Sequence, residues 1–318
     1  MLGGRGIIGS HVVDTLLKKR VPVRILDRPA PAGSASIWAN TSSTLLEVVE
    51  GDFTNSQDLE VAIKGCETCV HAITTTLPKT SNDDIAFDVS TNLLGTIKLL
   101  EHSARANLRR LVFLSSGGTI YGNPACDLIA ESHSTEPTTS YGITKLAIEK
   151  YLRLFEENYG LSSVALRVSN PFGPRQRIDG AQGAVAVFLG AALRNRPISI
   201  WGDGKTTRDY IHVSDVVGAI IAALGYQGAH RVFNVGSGMG QSLLDVVDSI
   251  ERATGRELVK TFLPARTIDV RRNVLDIGLA GRELNWRPAI DFDKGVVETA
   301  SWLRDELKRG AFGVEVVR

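Results

Sequence analysis

The feature that most constrains the fold of this chain is a glycine-rich segment at its start, Gly3-Gly-Arg-Gly-Ile-Ile-Gly9, with glycines at positions 3, 6 and 9. In residues 11–18 apolar side chains recur at helical spacing, which predicts a turn that opens a helix. Glycine is required where a backbone turns sharply and approaches a ligand closely, and the first N–H groups of the helix can then bind a pyrophosphate. We therefore predict that Gly3, Gly6, Ile7, Ile8 and Gly9 form a dinucleotide-binding turn.

The next apolar run, residues 21–26, predicts a strand, and Asp27 follows it roughly 20 residues after the turn. A carboxylate at this point accepts hydrogen bonds from a ribose diol and repels a 2′-phosphate, which favours NAD over NADP. Arg28 weakens that preference slightly. Turn, helix, strand and acid in this order predict an NAD-binding site that includes Asp27 and Arg28.

A tyrosine and a lysine four residues apart, Tyr141 and Lys145, lie in the helical pattern of residues 140–149. A lysine at this spacing projects from the same helix face, so its charge can favour the phenolate and lower the tyrosine pKa from about 10. A solvated pair on a helix surface has the same spacing, so the pair alone is a weak signal. Beside a dinucleotide-binding turn, it predicts an acid/base device.

Strand-like and helix-like segments alternate up to about residue 168. This alternation predicts an α/β fold with a Rossmann-type doubly wound parallel sheet. After Asn170 the pattern changes to turns rich in glycine and proline, with short strands and helices between them. We therefore predict an NAD-binding domain over residues 1–169 and a smaller C-terminal α/β substrate-binding domain over residues 170–318. Strands are predicted at residues 46–50, 69–73, 110–115, 164–168, 197–200 and 232–235, and helices at residues 214–224 and 242–254.

Only Met1 and Leu2 precede the glycine turn, whereas a dinucleotide fold normally begins with a central buried strand of about five or six residues. Missing pairing at that place leaves backbone groups of the neighbouring strands unsatisfied and costs stability. We therefore expect an incomplete start. An added Val/Ile-rich run before Met1 should raise the melting temperature, and an unchanged melting temperature would contradict this expectation.

Composition excludes several other classes of protein. The formal net charge is +1 over 318 residues with dispersed basic side chains, so we expect no nucleic-acid or membrane-surface partner. No apolar run approaches the roughly 20 residues that span a bilayer, and we see no signal peptide, which predicts a cytoplasmic location. The three cysteines argue against a disulfide framework. Cys66 and Cys69 lack a second pair or a nearby histidine cluster, so we predict no metal site and a structural role in a buried strand.

Together these motifs resemble the extended short-chain dehydrogenase/reductase superfamily, specifically its NAD-dependent epimerase/dehydratase family, and within it the UDP-hexose 4-epimerases. The resemblance covers nearly the whole chain. It is carried by the glycine turn, the Tyr141/Lys145 pair and five further segments, namely residues 51–53, 92–96, 114–122, 167–174 and 201–212.

The resemblance implies a reaction and a role for each residue of the pair. Tyr141 is the base that removes a proton from a sugar hydroxyl, while the nicotinamide takes hydride from the same carbon. Lys145 is its electrostatic partner and also binds the nicotinamide ribose. The 4-keto sugar then rotates and receives the hydride on its other face, so NAD is recycled in place.

The resemblance also implies further cofactor contacts. Asn92 lies in the family's cofactor-contacting segment, and Asp52 lies where the family contacts adenine, although a turn residue at a strand end has the same pattern. Phe53 and Ser115 are the remaining cofactor contacts that it implies.

The segment 114–122 departs from the family pattern at one position. Gly117 stands where the family usually has the hydroxyl that assists the tyrosine. Ser116, Thr119 or a water can take its place, and we favour Thr119; both hydroxyls can instead satisfy backbone groups at a strand end. Dehydratases and decarboxylases of the superfamily carry a carboxylate here, whereas Gly117-Gly118-Thr119 has none, which favours simple epimerisation.

Substrate contacts are implied in the second half of the chain. Asn170 and Arg208 correspond to residues that reach the nucleotide diphosphate, and Arg266 and Asp269 to residues that bind the diphosphate or the uridine. Asn273 stands where some epimerases place a bulky tyrosine, so a smaller residue leaves room for an N-acetyl group. We therefore expect UDP-glucose and UDP-galactose as substrates, and their N-acetyl forms as well.

Two other functions stay open at this point. One is a net oxidoreductase or another nucleotide-sugar enzyme of the family, such as a uronic-acid 4-epimerase, decarboxylase, dehydratase or keto-reductase. The other is a non-catalytic module that binds NAD or a nucleotide sugar. The resemblance further implies a homodimer built from the helices predicted over residues 84–106 and 141–159.

Overall fold

The computed structural model of the protein describes residues 1–30, 44–180, 183–265 and 270–310. Most strands and helices within these ranges lie at or within a few residues of their predicted positions. The strands are β1 (Val23–Asp27), β2 (Leu46–Glu50), β3 (Thr68–His71), β4 (Arg110–Ser116), β5 (Ser162–Val168), β6 (Asn170–Phe172), β7 (Ile198–Trp201), β8 (Thr207–His212), β9 (Val232–Val235), β10 (Gly240–Ser242), β11 (Lys260–Leu263) and β12 (Arg272–Asn273).

The helices cover both faces of the main sheet and form the rest of the second part. They are α1 (Ile7–Lys18), α2 (Ser56–Ile63), α3 (Ile85–Asp88), α4 (Gly95–Arg105), α5 (Ser140–Tyr159), α6 (Ala184–Leu193), α7 (Val213–Gly225), α8 (Leu243–Thr254), α9 (Gly278–Glu283) and α10 (Phe292–Lys308). A π-helical segment, Val89–Leu94, joins α3 to α4, so the helix predicted over residues 84–106 is present in three pieces.

The main sheet is parallel and consists of two groups, β1–β2 and β3–β4–β5–β9. Leu2 lies between the groups and bridges Leu26 of β1 and His71 of β3. Its amide donates to the Val70 carbonyl over 2.9 Å, and the Met1 carbonyl accepts from the Leu26 amide over 3.0 Å. Met1 and Leu2 thus pair with both neighbouring strands at the place where we expected this pairing to be missing. The effect of an N-terminal extension on the melting temperature stays a prediction.

Apolar side chains of the helices bury both faces of this sheet. Helices α1 and α7 contribute Val12 and Ile220 to one core, and α4 and α5 contribute Leu99 and Leu152 to the core on the opposite face. Strand β4 is buried along almost its whole length because helices cover it from both sides. The predicted α/β doubly wound parallel sheet is therefore confirmed.

A second group of strands and helices follows β5. Strand β8 pairs with β6, β10 and β12, while β7 pairs with β11. Helices α6, α8 and α10 pack a separate core around Leu189, Val247 and Leu303. Between these strands the chain returns to the main sheet to form β9 beside β5. The chain therefore crosses between the two parts, which brings residues of the second part to the strand ends of the first.

Candidate active site

The glycine turn has a geometry that only small residues allow. Gly3 has φ +80°, and a Cβ added at Gly9 would lie 2.0 Å from the Gly3 carbonyl oxygen. A Cβ at Gly6 would meet that oxygen only at 3.5 Å. Helix α1 begins at Ile7, and no described side chain caps it. The first N–H groups of α1 are thus free of a side-chain cap, which fits the pyrophosphate of a dinucleotide.

Asp27 ends β1 directly beside this turn. Its two carboxylate oxygens accept the backbone N–H groups of Arg5, over 2.7 Å, and Arg28, over 2.8 Å. These bonds fix the carboxylate where β1 meets the turn, as a ribose site requires. The Arg28 guanidinium lies 3.8 Å from the Asp52 carboxylate on an exposed surface. The negative charge of Asp52 therefore offsets the positive charge of Arg28, which was the residue that weakened the preference for NAD over NADP.

Asp52 makes the hydrogen bonds of a turn residue, which is one of the two roles that the sequence left open for it. Its Oδ1 accepts from the backbone N–H of Thr54 over 2.8 Å and from the Thr54 hydroxyl over 2.7 Å. These two hydrogen bonds lower the pKa of Asp52. Its other oxygen faces Arg28. The side chain is half exposed and can still contact a ligand, so both interpretations fit the structure.

Two side chains predicted to contact the cofactor are directed elsewhere. Phe53 is buried in the core, with its ring centroid 4.9 Å from that of His71. The Ser115 hydroxyl donates to Glu149 over 2.6 Å inside a buried cluster. Both side chains are thus occupied by contacts within the protein, and the predicted contact of these two residues with a cofactor stays a prediction. Periodicity shows that a residue is on a strand but not where its side chain points.

Asn92 is buried within the π-helical segment, and its side chain bonds only to protein groups. Its Oδ1 accepts from the Thr75 amide over 2.9 Å, and its Nδ2 donates to Asp88 over 3.0 Å and to Thr76 over 3.2 Å. The Asn92 side chain thus holds the loop after β3, at the edge of the sheet where the glycine turn lies. Its predicted contact with the cofactor stays a prediction.

Tyr141 and Lys145 lie on the first turns of α5, which is capped by the Thr139 side chain. The Lys145 ammonium lies 5.5 Å from the centre of the Tyr141 ring and donates to the Leu114 carbonyl over 2.9 Å. Lys145 is only 4% exposed. Burial lowers its pKa to about 8, against the raising effects of Asp88 and Glu149.

The pKa of Tyr141 has the opposite direction from the sequence prediction. Burial and then the charge of Asp88 raise the pKa to about 12, while a hydrogen bond with Ser116 lowers it in part. Helical spacing indicates that Lys145 is near the phenol but does not show how far both groups are desolvated. A positive charge brought next to the phenol would lower its pKa again.

The hydroxyl beside Tyr141 belongs to Ser116, and the Thr119 hydroxyl donates to Ser116 over 2.9 Å. Ser116 is therefore the flanking hydroxyl nearer to the phenol, and Thr119 contacts it from the other side; which of the two assists the reaction stays a prediction. Gly117 has no space for a side chain, because its Cβ would lie 2.5 Å from Leu275 Cδ1 and 3.0 Å from the Arg167 carbonyl oxygen. A hydroxyl at this strand end is therefore supplied by Ser116 and not by position 117.

The predicted substrate residues that the structure describes lie on strands of the second part. Asn170 donates from Nδ2 to the Asp209 carbonyl over 3.0 Å, and Arg208 donates to the Val270 carbonyl over 2.6 Å. Asn273 is 1% exposed and donates to the Gly117 carbonyl over 3.2 Å, while its Oδ1 lacks a partner among the described residues. Arg266 and Asp269 lie outside the described residues.

A cavity of about 740 Å³ opens beside these strands. Its lining includes Lys205, Arg271 and Arg272, which give it a positive charge, together with Asp127. Neither the glycine turn nor Tyr141 lines it, but its walls adjoin Arg208 and Asn273 in sequence. Its size and charge suit the nucleotide end of an anionic ligand.

Two groups of buried charged side chains near Lys145 were missed by sequence reasoning. Arg167 and Glu149 form a buried ion pair at 2.7 Å, and Arg167 also donates to the Tyr121 hydroxyl over 2.9 Å. Arg167 and Tyr121 both lie in segments that carried the resemblance, which could have indicated them. The second group, Asp88, lies outside those segments.

A metal centre and a membrane span are both unsupported by the described residues. In those ranges no group of three or more His, Cys, Asp or Glu side chains could hold a metal ion. Across the same residues, no helix is both long and apolar enough to cross a membrane.

Comparison with known proteins places this geometry in a family. The family model described as NAD dependent epimerase/dehydratase family matches residues 1–236. The chain belongs to this family. The predicted family and its NAD cofactor are thereby confirmed. The glycine turn and Asp27 fit such a cofactor, and so does the Tyr141 group, by which we mean Tyr141, Lys145, Ser116 and Asp88.

Individual relatives share most of the chain. A UDP-glucose 4-epimerase of Mycolicibacterium smegmatis is 34% identical over 306 residues, covering 96% of this chain and 97% of that protein. A dTDP-4-dehydro-6-deoxyglucose reductase of Escherichia coli is 31% identical, covering 92% and 93%. The structure of a UDP-glucose 4-epimerase from Thermotoga maritima with UDP-glucose has a TM-score of 0.89 at 32% identity, covering 96% of this chain and 98% of that one.

Proposed function

We propose that the protein is an NAD-dependent UDP-sugar 4-epimerase that interconverts UDP-glucose and UDP-galactose, and their N-acetyl forms, through a transient 4-keto sugar. The observation that carries the proposal is the row of half-buried hydroxyls of Tyr141, Ser116 and Thr119 beside the buried Lys145 ammonium. A UDP-glucose 4-epimerase is among the relatives at about one-third identity over nearly the whole chain.

The chain's own residues manage the proton in this reaction. Tyr141 takes the proton of the sugar 4-hydroxyl, and Ser116 holds the O4 atom by a hydrogen bond, supported by Thr119. Lys145 stabilises the phenolate by its charge. NAD, when bound, supplies the hydride acceptor for C4 and a positive charge that lowers the pKa of the neighbouring phenol. Return of the proton from Tyr141 to O4, with the hydride returned to the opposite face of C4, would give the epimer.

The strand end near Gly117 also argues for this reaction over dehydration. Gly117 and Gly118 bring no carboxylate to the sugar, and a side chain at Gly117 would collide with Leu275. Elimination of water needs an additional acid and base beyond Tyr141. The Ser116 and Thr119 hydroxyls are poor acids, so simple epimerisation at C4 is the reaction that this group of residues supports.

NMR of purified protein tests the proposal. The protein is incubated without added NAD and separately with UDP-galactose, UDP-GalNAc and UDP-glucuronic acid, with Tyr141→Phe as the matched control. We expect the C4 epimer to form from the first two sugars, and not with the variant. No conversion of any sugar, even with NAD added, would contradict the proposal.

A net reductase is the second candidate, because one relative at 31% identity is a dTDP-4-dehydro-6-deoxyglucose reductase. A reductase consumes one NADH per turnover, whereas an epimerase recycles its cofactor in place. A lasting absorbance change at 340 nm that requires external cofactor would favour the reductase. Conversion without such a change favours the epimerase.

The sugar range depends on Asn273 in this proposal. Its buried side chain contacts the Gly117 carbonyl, next to the hydroxyl chain. Asn273→Tyr adds bulk at this point and should lower the rate on UDP-GalNAc relative to UDP-galactose. Equal changes in both rates would show that Asn273 does not limit the sugar pocket. Asn273→Ser is the control that removes the amide without adding bulk.

We also propose the division at residues 169 and 170, substrate contacts by Asn170, Arg208, Arg266 and Asp269, a cytoplasmic location and a homodimer. Exposed apolar side chains on α5 and on the neighbouring α3 and π-helical segment support the dimer; they are Phe87, Leu94, Ile143 and Leu154. Sedimentation analysis of Ile143→Glu against the unaltered protein should show a shift from dimer to monomer.

A further inference from the structure

Asp88, the last residue of α3, is a buried carboxylate with an unusual set of partners. It is 0% exposed, and no described cation lies within ion-pair distance of it. Four side chains donate hydrogen bonds to it instead, namely Thr76, Asn92, Ser140 and Thr144. Burial by itself raises the pKa of Asp88, but these four bonds outweigh it and lower the pKa, so the group is ionised.

The two oxygens of Asp88 hold two different segments. Oδ1 accepts from Thr76, in the loop after β3, and from Asn92 over 3.0 Å. Oδ2 accepts from Ser140 over 2.6 Å and from Thr144 over 2.8 Å, both on the first turns of α5. One carboxylate thus joins the loop at the cofactor side of the sheet to the helix that carries Tyr141.

The loop between β3 and α3 reinforces this connection. The Asn82 side chain accepts the Ser140 amide over 2.8 Å, and the Ser81 hydroxyl accepts the Tyr141 amide over 3.1 Å. These two bonds fix the backbone at the start of α5. They carry no charge, so among these contacts the carboxylate of Asp88 alone acts on distant groups through its electric field.

Two reacting groups lie within that field. The negative charge of Asp88 raises the pKa of Tyr141 and the pKa of Lys145, in both cases next in size to the effect of burial. Glu149, on the same helix, also raises the pKa of Lys145. His71 on β3 contributes no charge, since burial and then Lys145 hold its pKa at about 3.

We propose that Asp88 is a positioning residue for the proposed epimerase reaction. Its carboxylate joins the start of α5 to the loop after β3, and its negative charge favours the charged form of the buried Lys145 side chain. This role rests on the proposed function for its catalytic meaning. The hydrogen-bond geometry and the charge are properties of the fold itself, and they can be measured without any substrate.

The test is the pH profile of kcat/KM for Asp88→Asn beside the unaltered protein. Asparagine has almost the same size, but it removes the negative charge. The pKa of the phenol and the pKa of the ammonium should both fall, so both limbs of the profile should move to lower pH by about one unit or more. Asp88→Glu retains the charge and should leave the limbs in place.

Ser140→Ala is the matched control, because it removes one donor and no charge. It should lower the melting temperature, and because it takes a donor from the Asp88 carboxylate it should move the profile, if at all, to higher and not to lower pH. A uniform loss of activity in Asp88→Asn with both limbs unmoved would show that Asp88 has only a structural role. Should Asp88→Asn not fold, Thr144→Val leaves the charge less compensated and should move the limbs to higher pH; unmoved limbs would overturn the proposal.

A second measurement separates this proposal from the proposed function. Lysine labelled with ¹³C at Cε is titrated by NMR, with Lys145→Met to assign the signal. The unaltered protein should titrate near the pKa of about 8, and Asp88→Asn about one unit or more lower. An unchanged titration would overturn the electrostatic role. Absence of epimerisation by the unaltered protein would contradict the proposed function and leave this result standing.

Discussion

The glycine turn and the Tyr141 group are built by different means. The turn consists of backbone from one short segment, and its shape depends on the absence of side chains at Gly3 and Gly9. The Tyr141 group consists of buried and half-buried side chains from strand β4, the helix α5 and the helix α3. The glycine turn depends on which residues are small enough for its backbone geometry. The Tyr141 group depends instead on how far its charged groups are desolvated and on which hydrogen-bond donors contact them.

The largest effect that would sharpen this contrast is expected at the phenol. Tyr141→Phe removes the proton acceptor and leaves the ring, so kcat should fall by about 10²-fold to 10⁴-fold. NAD content and melting temperature should stay close to those of the unaltered protein. Steady-state rates together with bound cofactor measured after denaturation check this. A variant that retains most of its activity would show that another group takes the proton.

A smaller loss of cofactor binding is expected at the turn. Gly9→Ala places a methyl group 2.0 Å from the Gly3 carbonyl oxygen, which is backbone and cannot rotate away. We expect NAD affinity to fall by tenfold or more, on the order of 1.4 kcal/mol or above. Gly225→Ala at the end of α7 is the control, since a methyl group there would meet no atom within 4 Å. Equal affinities in calorimetry would contradict the steric account.

The two hydroxyls behind Tyr141 should differ in effect. Ser116→Ala removes the hydroxyl that bonds with the phenol, whereas Thr119→Val removes the one that only donates to Ser116. A lost hydrogen bond to a charged group costs about 1.5 to 3 kcal/mol, so kcat should fall by about tenfold or more with Ser116→Ala. Thr119→Val should cost less. A larger loss of kcat with Thr119→Val than with Ser116→Ala in steady-state kinetics would favour Thr119 as the assisting hydroxyl.

The last effect concerns stability and not rate. His71 titrates with a pKa of about 3 in the folded protein, below the value of about 6.5 expected when unfolded. The unfolded state therefore binds a proton first as pH falls. Between these two values the free energy of unfolding should drop by up to about 1.4 kcal/mol per pH unit from this group. Denaturant titrations of His71→Gln should show a shallower pH dependence, and parallel curves would contradict it.

The contrast also explains what the sequence could and could not predict. Glycine spacing and Asp27 were sufficient for the cofactor turn because both belong to one local segment. The helical spacing of Tyr141 and Lys145 brought them together correctly. The direction of the Tyr141 pKa was wrong, because burial arises from packing that the spacing does not contain.

Contacts between distant segments account for the other misses. Asp88 meets Thr76 and Ser140, 12 and 52 residues away along the chain, and nothing in its local pattern marks it as buried. Phe53 and Ser115 lie at strand ends near the site, but their side chains pack into the interior. Sequence order predicts which strand a residue ends, and the tertiary structure decides where the side chain goes.

The packing around Gly117 has a consequence for how the protein is made. Leu275 occupies the space beside Gly117, and Asn273 bonds to its carbonyl from 156 residues further along the chain. During translation the N-terminal part of a chain leaves the ribosome first, so the glycine turn and α5 emerge long before these two residues. The sheet can form early, but the strand end that carries Ser116 receives its packing partner only when the last part of the chain has been translated.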